Sequence, residues 1–402
     1  MTAAESVTHD GSEATGVPWG STTLLAVLAA TLMTPLDVPL VSPVLTEIQA
    51  VFGVSEAQAG LVITLYAAPG ILLAPLIGMA ADRIGRRYVL SGCLVVFGLA
   101  GSAVALAPDF TVVLALRLLQ GCAAGSVLAA LSMTVVGDRY GGRRHDAVMG
   151  VTAATLSFAT AVYPAVGGYL ADTVGWNAPF ALYALCLPVA GVVFVALDDR
   201  RPDGGTVDGG YLREAVRAVP TRRAIELYGV MFCAYVLLFG GLYTAVPFYL
   251  AGSFGFGPAQ VGLVTSGVLL VTGVVSTQNG RLTRRTSQEH LVVLGFALLA
   301  LAFLGVGVAT TVPSLVTSLL VFGVGSGLVT PTLFAGLSRL APDHVRGGVM
   351  SLQTTTIGAS QTVGPALFTL LGAEFGYEPL ILGVSVATTV ATVAIAALWL
   401  RA

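Results

Sequence analysis

Two charged side chains stand inside long apolar stretches of this 402-residue chain, and their chemistry suits proton transfer. Asp37 lies in the first stretch and Arg117 in the fourth. A charge at the centre of a membrane costs about 2.5–3.5 kcal/mol on insertion scales, so such charges usually serve a function. A buried carboxylate beside an arginine can bind a proton in one state and release it in another. We therefore predict proton coupling by this pair, with a permanent ion pair as the alternative.

The two residues are expected at a similar depth. Asp37 is about six residues from the end of its stretch and Arg117 about seven from the start of its own, so both lie about 10 Å below the same surface at 1.5 Å per helical residue. Pro35 and Pro39 flank Asp37 and are expected to loosen the helix there, which frees carbonyls to line a cavity. Arg117 could instead merely pair across a helix bundle.

Other polar and aromatic side chains in these stretches are candidates for contact with a small-molecule substrate. Intramembrane glutamines need hydrogen-bonding partners, so they are expected to face the protein interior. Aromatic rings are weaker candidates, because rings near a membrane surface also form interfacial belts. The predicted cavity residues are Tyr66, Gln120, Met133, Phe158, Tyr163, Tyr235, Phe239, Gln278, Gln353 and Gln361.

The elements that position these residues are expected to be membrane-spanning helices. The chain is 55% hydrophobic and 10% charged, whereas a soluble domain carries about 25% charged residues. Each span must satisfy its own backbone in lipid, which favours helices. Apolar runs of about 20 residues predict twelve spans, at 21–43, 59–81, 88–107, 110–136, 147–171, 178–197, 225–250, 259–279, 290–309, 312–338, 348–372 and 378–400.

The loops between the spans alternate in charge. Arginines cluster in every second loop, and the opposite loops carry acids such as Glu56 and Asp109 but no arginine. The positive-inside rule then predicts a multi-pass protein of the cell membrane with both termini in the cytoplasm. The predicted divisions are a cytoplasmic tail 1–20, a six-helix bundle 21–197, a cytoplasmic linker 198–224 and a second bundle 225–402.

The two predicted bundles carry related sequence. Gly78 and Gly280 both open arginine-rich turns, and Pro164 corresponds to Pro365 at nearly the same offset. Gly121 and Gly125 correspond in the same way to Gly323 and Gly327. Paired six-helix halves of this kind are the repeat architecture of secondary transporters.

Several motifs carry a family resemblance. The loop after the second span reads G-x-x-x-D-R-x-G-R-R, which resembles the signature loop of major facilitator superfamily transporters. Its residues are Gly78, Asp82, Arg83, Gly85, Arg86 and Arg87. Arg117-Leu-Leu-Gln120-Gly121 resembles the fourth-helix motif of that family, and Leu36-Asp37 its first-helix acidic motif. The resemblance implies an all-α fold of twelve transmembrane helices in two pseudo-symmetric six-helix bundles.

The resemblance also implies roles for particular residues. In proton-coupled members, the arginine that matches Arg117 is linked to proton transfer. Asp138 would join Asp82 and Arg83 in a charge cluster that latches the two halves, and a solvated topogenic charge run is the alternative. The fifth span resembles the antiporter motif of the family at Gly150, Pro164, Gly167 and Gly168, and Gly364 and Pro365 match in the second half.

The antiporter match is partial, because Ala159 and Tyr163 stand where that motif has glycines. We therefore expect an alternating-access transporter that exports lipophilic or cationic small molecules in exchange for protons, and functions of two other kinds stay open. One is a proton-coupled uptake symporter for a small metabolite such as a sugar or organic acid. The other is a membrane sensor or scaffold that transports nothing.

The composition disfavours other classes of protein. All 19 basic residues are arginine, so the chain lacks the lysine of a phosphate-binding loop, and ATP hydrolysis is disfavoured. The net charge of −2 predicts no nucleic-acid partner. The four cysteines and four histidines have no metal-ligand spacing. We expect no enzymatic activity, no cofactor and no metal, and partners limited to a small-molecule substrate, protons and the lipid bilayer, with the monomer as the working unit.

Overall fold

The computed structural model describes residues 16–123, 126–197, 222–340 and 346–399, and the regular elements in those ranges are helical. In the first half of the chain the α-helices are α1 (Thr22–Met33), α2 (Leu45–Phe52), α3 (Glu56–Ile84), α4 (Arg86–Val104), α5 (Phe110–Ala123), α6 (Ser126–Arg139), α7 (Gly142–Thr173), α8 (Ala178–Ala181) and α9 (Cys186–Ala196). In the second half they are α10 (Arg222–Val236), α11 (Val246–Phe254), α12 (Pro258–Leu282), α13 (Gln288–Gly307), α14 (Val312–Leu340), α15 (Arg346–Phe375) and α16 (Tyr377–Trp399).

The helices support a membrane-embedded, all-helical protein. Within the described ranges, ten helical stretches are long and apolar enough to cross a membrane. The stretch Thr22–Leu36 is apolar but shorter, and the 30-residue helix α15 is not among the ten. The all-helical membrane architecture is therefore confirmed, whereas the count of twelve spans stays a prediction. The predicted tail and linker lie largely outside the described residues, so the predicted domain boundaries also stay predictions.

The first predicted span is interrupted around Asp37. The helix α1 ends at Met33, and short 3-10 helices follow at Thr34–Leu36 and Ser42–Val44. Pro35 lies in the first of these, and Asp37 closes it with non-helical dihedral angles of φ −67° and ψ −84°. The predicted loosening of the helix is confirmed, and it leaves the carbonyl groups of Leu36 and Asp37 free to accept hydrogen bonds from side chains.

The seventh predicted span is not a uniform α-helix. Its middle, Leu237–Ala245, is a π-helix between α10 and α11. A Cβ on Gly240 or Gly241 would strike the ring of Phe368 or of Phe303, so both glycines permit close packing against neighbouring helices. π-helical segments are rare and often lie at functional sites. Because these contacts are tertiary, the local sequence did not predict this irregularity.

The two halves repeat one packing scheme. A Cβ on Gly121 of α5 would strike the carbonyl oxygen of Tyr66 in α3, and a Cβ on Gly323 of α14 would strike that of Val268 in α12. Tyr66 and Val268 stand at the same sequence offset as the two glycines. Glycine at such positions allows two helix backbones to approach closely. The predicted internal relation between the halves thus corresponds to matching helix contacts.

The halves meet through two pairs of helices, α3 with α15 and α7 with α12. We call the end of the protein near Glu56 and Pro258 the acidic end, and the end near Arg86 and Arg281 the arginine end. At the acidic end the backbones touch, because a Cβ on Gly168 would strike the Pro258 carbonyl oxygen and a Cβ on Gly262 that of Pro164.

The same helices separate toward the arginine end. A Cβ added to any of several glycines there would meet nothing within 4 Å, namely Gly78 of α3, Gly150 of α7, and Gly273 and Gly280 of α12. The structure is therefore closed between the halves at the acidic end and open between them at the arginine end.

Candidate functional site

Arg117 of α5 is completely buried and lies at the centre of a polar network in the first half. Its Nε donates to the carbonyl oxygen of Val62 at 2.9 Å, and its Nη1 donates to Gln120 Oε1 at 2.7 Å. The guanidinium group also lies over the ring of Tyr66, 4.4 Å from the ring centroid. A buried charge with this many partners is well compensated. The network therefore fixes the position of the arginine in the otherwise apolar bundle.

Asp37 contacts Arg117 through its backbone. Arg117 Nη2 donates to the Asp37 carbonyl oxygen at 3.4 Å, whereas the carboxylate accepts from Gln361 Nε2 of α15 at 3.5 Å. The two residues do meet at one depth, but the carboxylate points toward the second half of the protein. The interruption of the helix after Met33 explains this arrangement, since it presents carbonyl groups to the arginine and leaves the carboxylate free to turn away.

Tyr183 is a member of this network that sequence reasoning missed. Its buried hydroxyl donates to the carbonyl oxygen of Leu36 and accepts from Arg117 Nη1, with 3.3 Å between the latter atoms. Its ring packs edge-on against Phe97, with 5.2 Å between centroids. Gly101 leaves room for the ring, because a Cβ there would strike it. A tyrosine inside an apolar run needs a partner for its hydroxyl, and that signal was available in the sequence.

The other predicted cavity residues lie in different environments. Tyr66 and Gln120 belong to the Arg117 network, and Gln361 reaches Asp37. Gln353 is buried, and its Oε1 has no hydrogen-bond partner within the described part of the chain. Tyr235, Phe239 and Tyr243 form a stacked ladder on α10 and the π-helix, with 5.9 Å between successive ring centroids.

Four further predicted cavity residues also lie outside the Arg117 network. Tyr163 donates its hydroxyl to the carbonyl oxygen of Leu32 at 2.8 Å, which ties α7 to α1. Gln278 is exposed near the arginine end and accepts from Arg281 at 3.0 Å, so its position in a substrate cavity stays a prediction. Met133 is half-buried and Phe158 is exposed.

The charged loop at the arginine end is organised around Arg86. Its guanidinium pairs with Asp138 and lies 3.6 Å from Asp82, and it donates to the carbonyl oxygen of Thr134 at 2.9 Å. The side chain of Arg83 is exposed, and Arg86 lies beside Asp138 in this conformation, so the predicted contact between Asp138 and Arg83 stays a prediction. Helix α3 ends just before Arg86, and this places its side chain, rather than that of Arg83, against α6.

The other residues of the charged loop have separate surroundings. Arg87 lies over the ring of Phe194, 4.0 Å from its centroid. Gly85 adopts φ 109°, a conformation that favours glycine. A Cβ on Gly78 would meet no described atom within 4 Å. The Arg86 cluster joins helices α3, α4 and α6 of one half rather than latching the two halves.

The predicted bending and packing residues lie mainly between the halves. Pro164 interrupts the hydrogen bonding of α7, and the N–H of Ala165 donates to Ser266 Oγ of α12 at 2.9 Å. Gly167 packs against the Leu40 carbonyl group and Gly168 against that of Pro258. In the second half, Gly364 lies against Gly240 of the π-helix, and the next residue, Pro365, is inside α15. Gly150 faces open space.

The described residues offer no evident site for a metal. No group of three or more His, Cys, Asp or Glu side chains within them is close enough to hold an ion. All four cysteines are free thiols, and two of them, Cys93 and Cys186, are buried in the first half.

The chain belongs to the Major Facilitator Superfamily, whose family model matches residues 27–256 and 227–402. It is 26% identical to a class B tetracycline resistance protein of Escherichia coli, over 86% of this chain and 87% of that protein. It is 25% identical to a bacillibactin exporter of Bacillus subtilis, over 87% of this chain and 89% of the exporter.

A solved structure supports the fold. A bacterial homologue of the human lysosomal transporter Spinster, in an inward-facing and unoccupied conformation, superimposes with a TM-score of 0.78 at 15% identity, covering 94% of this chain and 96% of the homologue. The chain is therefore a multi-pass membrane transporter of a small molecule rather than an enzyme.

Proposed function

We propose that this transporter exports lipophilic or cationic small molecules in exchange for protons, by alternating access. The observation that carries the proposal is the position of Asp37. Its backbone is held by Arg117 in the first half, and its carboxylate contacts Gln361 in the second half. A carboxylate at the junction of two moving bodies changes its surroundings when they rock, so its proton affinity changes with conformation.

Two observations support the direction of transport and the substrate class. The tetracycline resistance protein and the bacillibactin exporter cover most of this chain, and the latter is named as an exporter. The aromatic ladder of Tyr235, Phe239 and Tyr243 supplies flat, mostly apolar surfaces suited to lipophilic or cationic molecules. With the arginine end cytoplasmic, the present conformation faces inward and is ready to load such a molecule from the cell.

The test is proton movement in proteoliposomes that contain the purified chain and an internal pH dye. A pH gradient is imposed, and a panel of lipophilic cations and neutral drugs is added. Wild type is compared with Asp37→Asn. The matched control is Asp109→Asn, an exposed acid that caps α5 through the N–H of Val112, because asparagine keeps that capping bond. The proposal predicts substrate-triggered proton flux in wild type and Asp109→Asn, and none in Asp37→Asn.

Three other outcomes would contradict the proposal. Equal flux in all three proteins removes Asp37 from the mechanism. Proton flux with sugars or organic acids, in the same direction as the substrate, replaces export with uptake. Ligand binding without any flux replaces transport with sensing.

A further inference from the structure

A second polar site lies in the other half of the protein, away from the Arg117 network. Helices α10, α13, α14 and α16 enclose a cavity of about 170 Å³ near the arginine end. We call this cavity the Arg339 pocket; its polar lining residues are Arg223, Gln288, Glu289, Thr332 and Arg339. Each water in the liquid occupies about 30 Å³, so the pocket has room for one small polyatomic ion.

The charges that face the Arg339 pocket leave a positive surplus. Each acid beside the pocket has an arginine partner, since Arg223 pairs with Glu289 at 2.5 Å and Arg222 pairs with Glu226 at 3.0 Å. These two pairs neutralise Glu289, the acid in the lining, and Glu226 next to it. Arg339 forms no hydrogen bond or ion pair within the part of the chain that the structure describes. One guanidinium group is therefore left to attract an anion.

A buried donor lies in the same pocket. The amide nitrogen Nε2 of Gln288 is shielded from solvent and has no hydrogen-bond partner among the residues that the structure describes. Buried polar atoms almost always have a partner, so an unsatisfied one calls for a ligand or water. Thr332 does not supply that partner, since its hydroxyl donates to the Leu328 carbonyl group and accepts from Asn279. The free donors of Gln288 and Arg339 thus belong to residues that line the same cavity.

The pocket lies at the level of the helix ends. Its lining residues include the second residue of α10, the first of α13, and the last residues of α14 and α16. Helix ends of a membrane protein lie near the surface of the bilayer, where lipid phosphate groups are found, and basic pockets between such helices bind those groups. Gly336 adds space, because a Cβ there would meet its nearest neighbour only at 3.5 Å.

We propose that the Arg339 pocket binds a phosphate group, supplied by an anionic lipid headgroup or by free inorganic phosphate. Arg339 contributes the guanidinium group, which matches the oxygens of phosphate in a bidentate manner. Gln288 contributes the second donor from a different helix. A bound phosphate would join the start of α13 to the end of α14 and so stabilise the folded second half.

The experiment measures thermal unfolding of the full-length purified chain in detergent. One arm titrates inorganic phosphate against sodium chloride of equal ionic strength. The other titrates phosphatidylglycerol against diacylglycerol with the same acyl chains, which lacks phosphate. Arg339→Gln and Gln288→Leu remove one donor each. Arg281→Gln is the matched control, because that arginine lies at the same end but pairs with Gln278 outside the pocket.

The proposal predicts that at least one phosphate source raises the unfolding temperature of wild type and of Arg281→Gln. Its apparent affinity falls at least about tenfold in Arg339→Gln and Gln288→Leu, a loss of one charge-assisted contact. The arm that responds identifies the source. No rise in either arm, or equal affinity in all four proteins, overturns the proposal. The rise is measured within each variant, so a lower starting stability does not obscure it, and the readout does not depend on transport.

Discussion

Gly168→Val should convert the protein to a conformation that is open at the acidic end. A Cβ at Gly168 would strike the Pro258 carbonyl oxygen, and the Cα of Ala259 lies 3.2 Å from the same point. Both neighbours belong to the backbone of the opposite half, so no side-chain rotation relieves the clash. The strain exists only while the two halves are closed at the acidic end, and rocking the halves apart removes it.

The size of the effect follows from that geometry. Inserting extra side-chain atoms into a tight contact costs about 1–3 kcal/mol, and each 1.4 kcal/mol changes a two-state population ratio about tenfold. We therefore expect the ratio of the acidic-end-closed state to the alternative state to fall by about fivefold to 150-fold. The folded fraction should change little, because the alternative state accommodates valine.

Spin labels at the arginine end provide the assay. Cysteines replace Arg144 of α7 and Arg285 after α12, two exposed residues on opposite halves, in a background that lacks the four native cysteines. Electron–electron resonance then measures the distance distribution between the labels in nanodiscs. The prediction is that Gly168→Val enriches the short distances, since closure of the arginine end accompanies opening of the acidic end.

Gly150→Val is the control, because Gly150 is on the same helix and a Cβ there meets nothing within 4 Å. This variant should not enrich the short distances. An unchanged distribution in Gly168→Val, or the same enrichment in Gly150→Val, would refute the argument that the backbone contact at the acidic end sets the conformational equilibrium.

Three further substitutions test other contacts. Tyr183→Phe should lower the free energy of unfolding by about 1–3 kcal/mol, because it leaves a buried carbonyl without its donor; an unfolding curve in denaturing detergent that matches wild type would contradict this. Gln361→Leu should shift the spin-label distances in the same direction as Gly168→Val, since it removes a hydrogen bond between the halves, to the Asp37 carboxylate, that contributes about 1.5–3 kcal/mol at most. Asp138→Asn should change the free energy of unfolding by less than about 1 kcal/mol, because the Asp138 side chain is solvent-exposed and Arg86 keeps Asp82 as a second acidic partner; a larger loss in the same detergent assay would show that the pair with Arg86 stabilises the fold.

The helices and the repeat could be predicted because the bilayer imposes them. Apolar length and the spacing of loop arginines predict spans directly, and Gly121 and Gly323 follow from the need for close helix contact. The interruption at Asp37 was also predictable, since Pro35 cannot donate a helical hydrogen bond. These features depend on local sequence and on the lipid bilayer around the protein.

The details of the network depended on tertiary contacts. Depth counting predicted that Asp37 and Arg117 meet, but it could not show that the backbone of Asp37 would accept the bond while its carboxylate reached Gln361. Tyr183 was missed because an aromatic residue in an apolar span is usually apolar packing. The π-helix around Gly240 depends on Phe368, a residue far along the chain, and no local pattern reports such a contact.

The repeat also bears on stoichiometry. The offset that relates Gly121 to Gly323 places Phe239 opposite Asp37 and Leu319 opposite Arg117. The two halves thus share the glycines that let helix backbones approach closely, Gly121 and Gly323. The charged residues Asp37 and Arg117 occur only in the first half of this repeat. Under the proposed coupling through Asp37, the second half therefore supplies no matching carboxylate at the corresponding position. A transporter built in this way has an upper limit of one proton per cycle through that carboxylate, and its exchange for a singly charged cation would then move no net charge across the membrane.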